Sequence, residues 1–131
     1  MKIYFASFFE PENFGNGRKL AITTSKPDSF EVDGKLSYFT PSDELIQNYK
    51  NKQLNDQKEA ADYFNKHFYD QLKLTYSDLN AYAKQINKTI MEVLPLKDGD
   101  TLLSWERHGF SNYRGTVAGL LKKIGYEIIL K

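Results

Sequence analysis

The chain has 131 residues, 18 Lys and Arg against 17 Asp and Glu for a formal net charge of +1, and no Cys. That length predicts a single domain over residues 1–131 with a core of its own. The charge balance singles out neither nucleic acid nor an anionic membrane as partner, and the missing Cys removes disulfides, thiolate nucleophiles and Cys-ligated metal.

The opening MKIYFASFF carries one Lys and an apolar run too short for a membrane span, with no small-residue cleavage site. It predicts a first strand at 2–9 in a cytoplasmic protein, the host cytoplasm if the source is viral. KLAITT at 19–24 predicts a second strand, after the turn formers PENFGNGR. The two prolines and the glycine of KPDSFEVDGKLSYFTP, 26–41, predict an irregular surface connection. GNGR at 15–18 has the glycines of a phosphate-cradling loop, but Asn-Gly is first of all a turn signal.

Helical spacing starts after Ser42, an N-cap with Asp43 and Glu44 in the first turn and Leu45, Ile46 and Tyr49 on one face. Asp56 with Glu59 three residues on starts a second helix, in which Ala60, Phe64, Phe68 and Leu72 recur. Ser77 caps a third, whose stripe of Leu79, Tyr82, Ala83, Ile86, Ile90 and Val93 runs to Pro95. These stripes read as core faces. The turn LKDGD leads into a strand at 101–105. Val117, Leu120, Leu121 and Ile124 then mark a helix closed by Gly125, and YEIIL is the last strand. Strand, helix, strand predicts parallel pairing with a right-handed crossover. The expected fold is α/β, a small Rossmann-like three-layer domain with a short, mainly parallel sheet flanked by helices.

The polar residues collect between the strand at 101–105 and the helix that follows, in SWERHGFSNYR at 104–114. In open α/β sheets, ligands sit beyond the carboxyl ends of strands, where loops lead into helix N-termini with free N–H groups. Arg114 at the helix start suits a phosphate or carboxylate; the alternative is a surface pair with Glu106 or Asp100. Glu106 suits ribose hydroxyls or acid–base work, against the alternative of a solvated side chain. Trp105 offers a stacking face or simply packs at the rim. His108 lies in a loop and His67 in a helix, so a His-based metal site is not expected, and Ser104 lacks the surroundings of a nucleophile. The candidate ligand contacts are Ser7, Phe8, Ser104, Trp105, Glu106, Ser111, Asn112, Tyr113 and Arg114, with no metal and no cofactor.

KIYFASFF (2–9), AITTSKP (21–27), FTPSDELIQNYK (39–50), LLSWE (102–106) and NYRGTVAGLL (112–121), in this order, resemble the domain of unknown function 488 family. Its members open with a Lys-Ile-Tyr-Thr-Ser-Tyr-Phe-like strand. They continue through an Ile-Ser-Ile strand and a Leu-x-Pro-Ser helix start to Leu-Leu-Cys-Tyr-Glu and Cys-His-Arg around a strand-to-helix turn. Where that pattern has its first Cys this chain has Ser104, and where it has Cys-His-Arg this chain has Asn112, Tyr113 and Arg114. The resemblance therefore implies a family-like α/β scaffold without the family's Cys and His centre, keeping Glu106 and Arg114.

The reading that follows is a non-catalytic protein holding, or sequestering, a nucleotide-like or phosphorylated small molecule at 104–114. A phage protein blunting a host nucleotide signal is one setting for it. The alternative is an enzyme acting on a nucleotide or nucleoside with Glu106 as acid, base or nucleophile, helped by a second carboxylate such as Asp100 or Glu127. A third reading uses the Lys-rich stretch Lys50–Lys58 for nucleic acid or a protein partner, but the interspersed Asp56 and Glu59 point to a solvated helix face. A homo-oligomer that completes the pocket across a two-fold axis stays open.

Overall fold

The structure is a computed structural model that describes residues 1–105 and 113–130, Tyr113 by its backbone alone. Its strands are β1 (Lys2–Ser7), β2 (Lys19–Ala21), β3 (Gly34–Lys35), β4 (Thr101–Ser104) and β5 (Glu127–Leu130). Its helices are α1 (Asp43–Gln53), α2 (Gln57–Gln85), α3 (Ile90–Val93) and α4 (Tyr113–Ile124), with 3-10 turns at Pro11–Asn13 and Ser37–Phe39. The strands form one sheet in the order β3-β2-β4-β1-β5, and every neighbouring pair is parallel. Strands of such a sheet are covered on both faces and need apolar runs; all four residues of β4 are buried.

The path of the chain explains which face each connection covers. From β1 it travels over β4 to β2 and on to the β3 edge; after α1, α2 and α3 it returns to β4, then crosses β1 through α4 to β5. Right-handed crossovers running in opposite directions across a sheet must lie on opposite faces. The returning connections carry all four helices, whose Leu45, Phe68, Leu72, Val117 and Leu121 bury against Ile3, Phe5, Leu20 and Leu102. On the opposite face Ala6, Phe8, Ala21 and Leu103 are covered by Phe14, Phe30 and Val32 of the outgoing connections. Helices, sheet and loop segments make three layers, the α/β fold expected. β4 and β5 are parallel, as the strand-helix-strand pattern predicts, but β1 lies between them.

Ser42 caps α1 by accepting the Leu45 N–H, and Asp56 caps α2 by accepting those of Lys58 and Glu59. Three expectations are corrected. Ser77 caps nothing: it is inside α2, which runs unbroken through 29 residues. Leu72 and Leu79, seven residues apart, both bury in the helix-side core, and that continuous stripe outweighs a serine's preference for a cap. The stripe drawn from Leu79 to Val93 also fails, since Tyr82 and Ile86 are exposed and α2 stops at Gln85. Asn87 at φ 59° turns the chain, and Thr89 with Glu92 starts α3 by a reciprocal capping box. Finally, the 26–41 connection is not irregular throughout. Asp33 accepts the Lys19 N–H at 2.7 Å and Leu36 donates its N–H to the Ala21 carbonyl at 2.8 Å, which sets β3 beside β2 and buries Leu36 and Phe39.

Candidate functional site at the carboxyl ends of β1 and β4

β1 and β4 are neighbours whose outgoing connections leave over opposite faces, so a crevice opens between their carboxyl ends. This is the topological switch point at which open parallel sheets receive ligands. Ser7 and Ser104 end the two strands in register. Alternation along the strands turns both toward the helix side, with Phe5 and Leu102.

The β1 end is a compact hydrogen-bonded turn. Ser7 donates its N–H to Glu10 Oε1 (3.0 Å) and its hydroxyl to the Trp105 carbonyl (3.2 Å), while Oγ accepts the Phe9 N–H (3.2 Å). Glu10 donates its own N–H to the Ser7 carbonyl at 3.1 Å, and Pro11 opens the following 3-10 turn. Glu10 is thereby held 8% exposed, an uncommon place for a carboxylate without a partner. Its partner comes from α4: Arg114 Nη1 lies 3.5 Å from Glu10 Oε1, and Arg114 is 4% exposed.

That ion pair is loose. A charge-assisted N–H···O bond is about 2.7–2.9 Å long, and at 3.5 Å the contact is Coulombic without good hydrogen-bond geometry. At the end of β4, Ser104 is fully buried and its Oγ has no hydrogen-bond partner among the described residues. Buried polar groups are normally satisfied, and an orphan costs about 1–3 kcal/mol. Ser104 Oγ and the Tyr126 hydroxyl are the buried side-chain oxygens left without a hydrogen-bond partner among the described residues.

On the loop side Trp105 is 41% exposed, anchored by its Nε1–H donating to the Ser25 carbonyl at 3.1 Å. Its ring centroid is 5.6 Å from that of Phe8 and 5.9 Å from that of Phe9. Phe8 itself is 3% exposed and packed edge-on against Phe30, so it props the Trp105 ring from beneath and has no open face. The partly exposed Phe9 extends the aromatic ledge.

Of the candidate contacts, Ser7 and Ser104 face the helix side in register and Ser7 shares Glu10 with Arg114, whereas the Trp105 ring lies on the loop side against Phe8. Glu106, Ser111 and Asn112 lie outside the described residues, as does the side chain of Tyr113. Glu10 was missed: following two Phe and preceding Pro, it carries only a turn signal in the sequence. The proposed companion carboxylates are elsewhere. Asp100 precedes β4 and Glu127 starts β5 opposite Lys2, both at the amino ends of the parallel strands. Nor does Asp100 pair with Arg114. It takes Arg18 Nε at 3.2 Å and Nη2 at 2.7 Å, together with the Lys97 N–H at 2.8 Å.

GNGR is also at the amino end, where Gly15 donates its N–H to Thr101 Oγ1 and Gly17 to the Gly99 carbonyl. In the Lys50–Lys58 stretch, Lys52 lies 3.9 Å from Glu59 and over the Tyr63 ring, the arrangement of a solvated helix face. No described helix is long and apolar enough to cross a membrane. Among the described residues, no three His, Asp or Glu side chains gather as a metal-binding group. The chain matches no family model, no curated protein and no solved structure.

Proposed function

We propose that this protein binds, without turning over, a nucleotide-like or otherwise phosphorylated small molecule at the crevice between β1 and β4. The observation that carries this reading is the Arg114 guanidinium, buried at the start of α4 and paired with Glu10 at only 3.5 Å. A ligand oxyanion received there would gain the guanidinium charge, the positive end of the α4 dipole and the Ser104 hydroxyl. The exposed Trp105 ring, on the loop side directly after β4, supplies a face for a planar ring. An anion-binding side chain and an exposed aromatic face near the end of one strand favour a nucleotide over a simple sugar or an aliphatic acid.

The test is to incubate the purified chain with a nucleotide panel and a small-molecule extract, release what is retained by heat, and identify it by mass spectrometry. A phosphorylated, ring-bearing compound returned intact by wild type and lost from Arg114→Ala is the expected result. Retention unchanged in Arg114→Ala would remove the assignment, and a compound returned with altered mass would make the protein an enzyme.

A further inference from the structure

β5 is an edge strand with one side in use. The Glu127 N–H donates to the Met1 carbonyl, and the register sets Glu127 beside Lys2 and Ile129 beside Tyr4. In a parallel ladder alternate residues turn both backbone groups to the same neighbour. Glu127 and Ile129 therefore spend theirs on β1, while Ile128 and Leu130 aim theirs away from the sheet. Among the described residues, nothing pairs with that outer side. Its side chains are no deterrent: EIIL has neither Pro nor Lys, Ile128 and Ile129 are half-buried, and Leu130 is 43% exposed. The opposite edge, β3, is two residues long and ends on Lys35.

We infer that the outer side of β5 pairs antiparallel with β5 of a second copy of this chain, about a two-fold axis through Ile129, joining the two five-stranded sheets into one. Outward groups must face outward groups, so the axis passes through a residue rather than between two. Centred on Ile129, Ile128 of each copy faces Leu130 of the other, and every outward N–H and C=O of both residues is paired. Centred on Ile128, Leu130 would face Tyr126, whose N–H is already given to the Leu121 carbonyl, and the Leu130 carbonyl would be stranded. The side chains agree with the first register. Ile128 packs on the helix-side core and alternation puts Leu130 on the same face, so Ile meets Leu there, while on the loop side Ile129 meets its own copy. Each copy thus supplies the donors, acceptors and apolar side chains that the other lacks, at the same spacing. Because the strands run antiparallel, the two β1–β4 crevices lie at opposite ends of the joined sheet, and neither copy completes the other's site.

The absence of Cys makes one introduced thiol an unambiguous reporter. Ile129 would oppose itself as a pair without mutual hydrogen bonds, the closer kind, whose Cβ spacing of about 4.5–5.5 Å approaches that of a disulfide. The experiment follows the mass of the chain by sedimentation from micromolar to millimolar concentration, and disulfide formation in Ile129→Cys under mild oxidation. Wild type should pass from the single to the double chain mass. Ile129→Cys should cross-link about tenfold faster than Tyr82→Cys, a control at an exposed position of α2. Leu130→Pro removes an outward N–H that the fold does not use, so it should keep the circular dichroism of wild type yet stay at the single mass. A wild type of single mass throughout would overturn the inference, as would cross-linking of Ile129→Cys no faster than that of Tyr82→Cys. A folded Leu130→Pro chain that still doubles its mass would put the contact elsewhere and overturn it too. Should Leu130→Pro fail to fold, wild-type mass and cross-linking decide.

Discussion

Ser7 and Ser104 stand opposite each other in the register of β1 and β4, both fully buried, yet among the described residues the Ser7 hydroxyl is hydrogen-bonded and that of Ser104 is not. The two serines should therefore respond in opposite ways to the same substitution. Ser7→Ala strands the Phe9 N–H and the Trp105 carbonyl and should cost about 1–3 kcal/mol in urea unfolding. Ser104→Ala removes an unsatisfied hydroxyl, so stability should hold or rise by up to about 1 kcal/mol while nucleotide retention falls. A loss of stability above that size in Ser104→Ala would mean that its hydroxyl already has a partner within the fold.

At the other end of β4, Asp100 is 1% exposed and collects Arg18 and two backbone N–H groups. Burial pushes its carboxyl up, but the hydrogen bonds from Arg18 and the backbone and the Arg18 charge outweigh that and hold it below the ordinary carboxylate value. A carboxyl depressed on folding contributes stability above its unfolded pKa, near 3.9, and loses it as pH falls through the lower folded value. Asp100→Asn should cost about 2 kcal/mol at pH 7, discounted because the Arg18 side chain is 38% exposed. Thermal unfolding of both proteins at pH 7, 5 and 3 should give a constant difference between the first two and a smaller one at the last.

The same end depends on close backbone approach. A Cβ on Gly17 would sit 2.7 Å from the Gly99 carbonyl carbon and 2.9 Å from the Asp100 nitrogen, main-chain atoms that cannot turn away. Gly17→Ala should therefore lower stability by about 2 kcal/mol or more, whereas ligand retention at the far end of the sheet should be unchanged in the folded fraction. Retention lost in proportion to GNGR substitution would return this loop to the ligand.

Continuity of α2 can be read from two exposed residues. Asp56→Ala removes a cap and should cost about 1 kcal/mol. Ser77→Ala, in an exposed helix interior, should be neutral or stabilise by about 0.5 kcal/mol. A Ser77→Ala cost equal to that of Asp56→Ala would restore two helices.

Much of this molecule was decided locally. The apolar runs at 2–7 and 101–104, the caps at Ser42 and Asp56, the left-handed Gly125 that closes α4, and the last strand all follow from side-chain periodicity and backbone preference within a few residues. The absence of thiol chemistry is likewise a property of composition. The passage from β4 to α4 could likewise be placed, because a strand-like apolar run gives way there to helical spacing. What needed the tertiary structure was everything set by burial and chain crossing. Leu72 and Leu79 share one core face, which makes one helix of two; β1 is inserted between β4 and β5; and Asp100 is taken by Arg18, 82 residues away. Above all, the fold brings Glu10 to Arg114 across 104 positions of sequence. Periodicity reports a residue's near neighbours along the chain, whereas a buried carboxylate finds its cation only once strand order and crossover hand have brought their elements together.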